Sequence, residues 1–142
     1  MQLHDPYDNN NIFAQILRGE SPSTRVYEDD MTLAFMDIMP VTPGHVLVIP
    51  KSPATNLLYL DPEYARAMIT TTQIVGRAVQ KAIEAPGFAI VQLNAAAAGQ
   101  TVFHIHTHII PRFHGLELQI HSRVRADNDE LESIARKIRA QL

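Results

Sequence analysis

The sequence predicts an α+β domain: a mainly antiparallel five-stranded sheet with one long helix and two shorter ones. Three observations carry that expectation. Short runs of strand-forming residues lie around long helical patterns without the strand–helix alternation of a parallel sheet. Arg25–Glu28 and Thr32–Asp37 flank an acidic turn at Asp29-Asp30, the pattern of a hairpin. From Asp61 to about Glu84, apolar residues recur at helical spacing with start and stop signals at the two ends.

Taken in order, Asn11 to Arg18 read as a short helix. Asparagine can cap it, Ile12, Phe13, Ile16 and Leu17 make an apolar stripe, and Gly19 can end it. After the hairpin, Pro40 and Pro43-Gly44 lead into a buried strand, His45–Ile49, stopped by Pro50. Asp61-Pro62-Glu63 opens the long helix, with Asp at the cap and Pro in the first turn. Tyr64, Met68, Val75, Val79 and Ile83 give its apolar face, and Pro86-Gly87 terminate it. Phe88–Asn94 is an apolar strand, Ala95–Gln100 a loop of small residues, and Val102–Ile110 a long strand closed by Pro111. Asn128 or Asp127 can cap a last helix over 129–142, with Leu131, Ile134, Ile138 and Leu142 on one side. Residues 1–10 read as a flexible polar tail and 11–142 as a single domain.

At 142 residues the chain can bury a core without disulfides or a structural metal. A net charge of -3 with interspersed signs leaves no electrostatic footprint for nucleic acid or anionic membrane. A phosphate-bearing ligand must therefore be held by local geometry. With no cysteine, thiolate metal sites and disulfides are excluded. The polar N-terminus lacks the apolar stretch of a signal peptide, and no run approaches the roughly 18 apolar residues that cross a bilayer. A cytoplasmic location is expected.

The chemistry concentrates in Gly99-Gln100-Thr101-Val102-Phe103-His104-Ile105-His106-Thr107-His108-Ile109-Ile110-Pro111. On a strand, His104, His106 and His108 share one face at steps of roughly 6.6 Å, while Phe103, Ile105, Thr107 and Ile109 take the other. A neutral imidazole is a nucleophile near neutral pH, and attack on phosphorus gives a phosphoramidate that splits one hard displacement into two. His106 is the natural nucleophile, because a histidine on either side can fix its tautomer and donate to phosphate oxygens. The preceding loop, Gly99 and Gln100 included, could offer backbone N–H groups to the same oxygens. A His-rich metal site is the main rival. Against it, the first carboxylate after the row is Glu117, too distant for a small-barrel ligand set. His4, His114 and His121 fall outside the pattern and read as surface or tail residues.

HIHTHII resembles the histidine triad family, whose hallmark is His-x-His-x-His followed by apolar residues. IFAQILRGESPS, VYEDDMTLAFMDI and PVTPGHVLVIPK resemble its amino-terminal blocks in order, so the likeness covers about residues 11–112. Pro111-Arg112 is similar to bacterial members. The resemblance implies His106 as a transiently nucleotidylated nucleophile, with His104, His108 and His45 completing the site. It implies Thr101 near the leaving group, Gln100 and Asn94 at the phosphate, and Asp37 on the ribose hydroxyls. Ile12, Phe13, Ile16, Phe35 and Ile38 would wall a purine base, although their spacing alone fits core packing equally. Asp37 could equally cap a turn, and Asn94 and Thr101 could satisfy loop backbone.

The implied activity is hydrolysis or transfer at the α-phosphate of a purine nucleotide such as AMP bound to a leaving group, of the nucleoside phosphoramidate type. A dinucleoside polyphosphate hydrolase and a non-catalytic nucleotide sensor are the alternatives. No cofactor is implied, and the partner would be a second copy, with helix 61–85 and a strand from each subunit continuing one sheet. Two departures stand out. Many members carry a Cys-x-x-Cys pair for a structural zinc where this chain has Asn10-Asn11-Ile12-Phe13-Ala14, so no such zinc is expected. Bacterial relatives often have glycine where this chain has Ala95, a position where tolerance of positive φ could matter.

Overall fold

The computed structural model describes all 142 residues. Strands β1 (Arg25–Glu28), β2 (Thr32–Met36), β3 (Val46–Pro50), β4 (Gly87–Gln92) and β5 (Thr107–Arg112) form one sheet in the order β1-β2-β3-β5-β4. Every neighbouring pair is antiparallel. Helices α1 (Ile12–Leu17), α2 (Pro62–Ile83) and α3 (Asn128–Arg139) complete the α+β fold. Asn11 caps α1 through Ala14 N, and Asp61 caps α2 through Glu63 N.

The sheet has two unlike faces. Ala34, Met36, Val46, Val48 and Ile109 point to α2 and α3, and pack with Val75, Val79, Leu131 and Ile138 into the main core. Leu33, Phe35, Leu47 and Ile49 point the other way and pack against Phe13 and Ile16 of α1. Because α1 is only 6 residues long, it covers part of that second face and leaves the rest open as a cleft. Gly44 (φ +90°) makes the turn into β3 possible. A Cβ there would stand 2.7 Å from Ile83 Cγ1, so only glycine lets the end of α2 lie against the segment that delivers His45.

Two elements differ from the sequence reading. The strand expected over Val102–Ile110 is β5, Thr107–Arg112, and residues 101–106 are irregular. Pairing ends at Val48↔Thr107 on one side and Gln92↔Thr107 on the other, so the chain before Thr107 has no neighbouring ladder. Pro111 does not close the strand. β3 pairing stops at Val46↔Ile109, leaving only β4 beside it, and the Pro111 carbonyl faces away from β4 to accept from Thr42 Oγ1 at 2.6 Å. The proline nitrogen faces the same way, where no ladder bond is required. Likewise β3 starts at Val46 and includes Pro50 as its last residue.

The first ten residues lie against the domain rather than away from it. Ala96 N donates to Met1 O, Asn56 Nδ2 to Leu3 O, and the Tyr7 hydroxyl meets His104.

Candidate active site

The register of the sheet delivers the histidines. His108 stands opposite Leu47 in the β3–β5 ladder and so faces the cleft, and His106 follows on the same side with its ring centroid 5.0 Å away. Ile105 turns to the opposite side, among Ala54, Leu60 and Met68. Phe13 meets the His106 ring edge-on at 4.9 Å, fixing its plane from the α1 side.

Hydrogen bonds set each tautomer. His106 Nδ1 lies 2.7 Å from the His104 carbonyl, which only accepts, so Nδ1 carries the proton and Nε2 keeps its lone pair. His104 Nε2 likewise donates to the Pro50 carbonyl (2.8 Å), leaving Nδ1 to accept from the Tyr7 hydroxyl (2.6 Å). Val41 N–H donates to His45 Nδ1 (3.0 Å), so His45 Nε2–H donates to His108 Nδ1 (2.9 Å). That relay places a proton on His108 Nε2. Two buried side-chain polar atoms in the molecule lack partners, His108 Nε2 and Ser23 Oγ, and both residues line the cleft. An orphaned buried donor is costly, and a ligand oxygen would relieve it.

These tautomers presuppose neutral rings, and burial ensures them. Desolvation is the leading cause in each case and pushes His45, His104 and His106 from 6.5 to about 4, and His108 to about 3. Repulsion from a neighbouring histidine lowers each further: His106 acts on His45, His104 and His108, and His121 acts on His45, His106 and His108. His106 is therefore a free base at neutral pH without any group having to remove its proton.

The cleft encloses about 710 Å³. Of the residues singled out in the sequence, Ile12, Phe13, Ile16, Phe35 and Ile38 form its apolar wall. Phe13, Ile16 and Phe35 are buried and belong to the second core cluster as well, so core and wall are one set of side chains. Asp37, Thr101, His106 and His108 complete the sequence-expected lining. Asp37 Oδ1 accepts from Met39 N (2.8 Å), and Oδ2 lies 3.4 Å from His45 Nε2; burial raises its carboxyl pKa. His45 and His104 sit behind the lining, fully buried.

Other residues are placed elsewhere. Gln100 is buried with its amide engaged internally, Nε2 on the Thr55 and Val102 carbonyls and Oε1 on Ala95 N. Asn94 Oδ1 accepts from Leu57 N and Gln92 Nε2. In the loop, the N–H groups of Ala95, Ala96, Ala98, Gly99 and Gln100 are all bonded within the protein, so they form no open nest for phosphate. Gly99 contributes its carbonyl to His121 Nε2 (2.7 Å). Ala95 does adopt positive φ, +74° with ψ 162°, a conformation glycine tolerates far better.

His121 is exposed, as the sequence reading expects, and it also lines the cleft, its ring 5.9 Å from that of His108. Ser122, Arg123 and Arg125 line it too. No periodicity marks this stretch, because 113–127 crosses the domain without regular structure. Asp37, His45 and His108 bring ligand-type atoms within 4.8 Å of one another. With Val41 N–H on its Nδ1, however, neutral His45 must hold a proton on Nε2, and a metal there would require an imidazolate.

An open antiparallel sheet whose β5 feeds a row of neutral histidines into a half-apolar cleft defines a class, α+β proteins with a His-x-His-x-His site. Residues 18–115 match the HIT domain, and the chain belongs to the HIT domain family, the histidine triad proteins. It is 42% identical over 104 residues to Adenylylsulfatase HINT3 of Arabidopsis thaliana, covering 73% of this chain and 53% of that protein, about half its length. The crystal structure of a Hit-like protein from Bartonella henselae, described as involved in cell-cycle regulation and holding an unknown ligand, superposes with TM-score 0.90 at 52% identity. That match covers 96% of this chain and 100% of the other. A hypothetical histidine triad nucleotide-binding protein from Sulfolobus tokodaii matches with TM-score 0.83 at 30% identity, over 91% and 89% of the two chains.

Proposed function

We propose that this protein hydrolyses or transfers the nucleotidyl group of a purine nucleotide, breaking a P–N or P–O bond at the α-phosphate through a covalent His106–nucleotide intermediate. The observation that carries the reading is the His106 ring, its Nδ1 proton held by the His104 carbonyl and its Nε2 lone pair left for the cleft. In the first step Nε2 attacks phosphorus and forms the N–P bond, the P–N or P–O bond to the leaving group breaks, and the leaving group carries off that electron pair and takes a proton from solvent. In the second, water attacks phosphorus, the N–P bond breaks with its electron pair returning to Nε2, and the proton of the water passes to solvent. His108 Nε2–H supplies a hydrogen bond to a phosphate oxygen as charge accumulates there. Asp37 takes the ribose hydroxyls, Thr101 stands near the leaving group, and the apolar wall stacks the base. Asn94, Gln100 and Gly99 act one layer back, holding the loop that positions Thr101.

The names of the plant and archaeal relatives, an adenylylsulfatase and a nucleotide-binding protein, support this chemistry. No helix is long and apolar enough to cross a membrane, and we place the enzyme in the cytoplasm as a homodimer. Support for the dimer is a groove between α2 and edge strand β4, where Ile69, Phe88 and Ile90 are 61%, 50% and 42% exposed.

The test is turnover of an adenosine phosphoramidate by the wild type and by His106→Ala. The account expects the variant to fold normally and lose at least about a thousandfold in kcat/KM, as removal of a covalent nucleophile should. Activity within tenfold of wild type would overturn it.

A further inference from the structure

Residues His121 to Ala126 run without regular structure along the mouth of the cleft and are pinned at both ends. His121 Nε2 holds the Gly99 carbonyl at 2.7 Å beside the triad, and Ala126 N donates to the Ile38 carbonyl at 2.8 Å beside Asp37. The strap therefore spans from the expected phosphate end to the expected ribose end. Along it His121, Ser122, Arg123 and Arg125 line the cleft, both arginines remaining exposed at its mouth, and Val124 between the two arginines is 76% exposed and outside the lining. The cationic ion pairs of the molecule use Arg18, Arg25, Lys51, Arg136 and Arg139, and neither strap arginine is among them. Asp37, the one acidic residue of the cleft lining, makes no ion pair with them and is engaged by Met39 N and His45 instead.

Two unpaired guanidiniums over one cleft, in a chain of net charge -3, are a local arrangement rather than a general basic surface. A single α-phosphate at His106 already has His108 Nε2–H to meet it, so the strap offers more cationic donors than one phosphate uses. We infer that Arg123 and Arg125 form a second anion subsite, and that the substrate class is a nucleotide carrying a further anionic group besides the phosphate that reacts. Guanidinium forks bind phosphate and sulfate oxygens through paired charge-assisted hydrogen bonds, which matches such a group, whether it sits on the ribose or at the leaving-group end. The inference rests on the nucleotide reading of His106.

Its test is equilibrium binding to the wild type and to the Arg123→Ala/Arg125→Ala double variant at low salt. Three uncleaved probes are compared: AMP, α,β-methylene-ADP with its second anion at the leaving-group end, and adenosine 3′,5′-bisphosphate with its second anion on the ribose. Wild type is expected to bind one of the two probes that carry a second anionic group at least about tenfold tighter than AMP. The double variant should lose that gain and keep its AMP affinity within about twofold. Whichever probe shows the gain identifies where the second anion sits. If AMP binds but neither probe gains, or the gain survives in the variant, the arginines are merely solvated and the subsite is overturned. If AMP itself fails to bind, the nucleotide reading falls and takes the subsite with it.

Discussion

Tyr7 shows how a single side chain outside the triad can govern it. Its hydroxyl donates to His104 Nδ1, and the His104 carbonyl orients the His106 ring. Tyr7→Phe strips a buried nitrogen of its partner, so the thermal midpoint should fall, by about 1–3 kcal/mol of stability. Because the orientation of the nucleophile is disturbed and the cleft is not, kcat should drop about tenfold with KM nearly unchanged. A loss in KM alone would contradict the positioning role. Ala95 is a second residue with a local consequence. At φ +74° it stores backbone strain of about 1–3 kcal/mol, partly offset in a glycine variant by the greater freedom of the unfolded chain. Ala95→Gly should raise the urea midpoint by about 1 kcal/mol of stability, and a fall in the midpoint would refute the strain. The place of His106 beside His108 in the cleft was legible in the sequence because alternate residues of an extended segment share a side. His121 was not, since its role depends on a hydrogen bond to Gly99, 22 residues away, that no local pattern encodes.

At the level of elements, the order and type of strands and helices followed from their periodicity, caps and prolines. The misjudged strand is instructive. His104 and His106 precede β5, and what aligns them is not a ladder but tertiary bonds, His104 Nε2 to Pro50 O and Ile105 N to Ala54 O. Alternation in sequence correctly placed His106 and His108 on one side, whereas strand length depends on which neighbours extend far enough to pair. The polar N-terminal segment looked like a tail because its anchors, Tyr7 to His104 and Leu3 to Asn56, are distant partners. The exposed groove between α2 and β4 makes its own prediction. If two copies meet there, Phe88→Glu with Ile69→Glu should convert a dimer to a monomer by sedimentation, with the cleft residues intact. An unchanged dimer would move the interface elsewhere.

For the whole molecule, the same burial that keeps the catalytic ring neutral costs acid stability. Unfolded histidines take up protons below about pH 6.5, whereas the four buried rings resist until about pH 4 or lower. Between those values the unfolded chain binds more protons than the native one. Stability should therefore fall as pH drops from 6.5 toward 4, by at most on the order of 1 kcal/mol per histidine per pH unit. Urea midpoints that stay level through that window would contradict it. Activity behaves differently: kcat/KM should hold level from pH 7 to about 5 and decline near 4, where His106 gains its proton, provided the fold survives. An inflection near 6.5 would mean a solvated nucleophile. The most direct measurement is rapid acid-free quenching of a reaction with an adenosine phosphoramidate, followed by peptide mass mapping. The account predicts one nucleotidyl group on His106, bonded through Nε2. A nucleotidyl group on another residue, or turnover with no covalent intermediate trapped at any time, would contradict it.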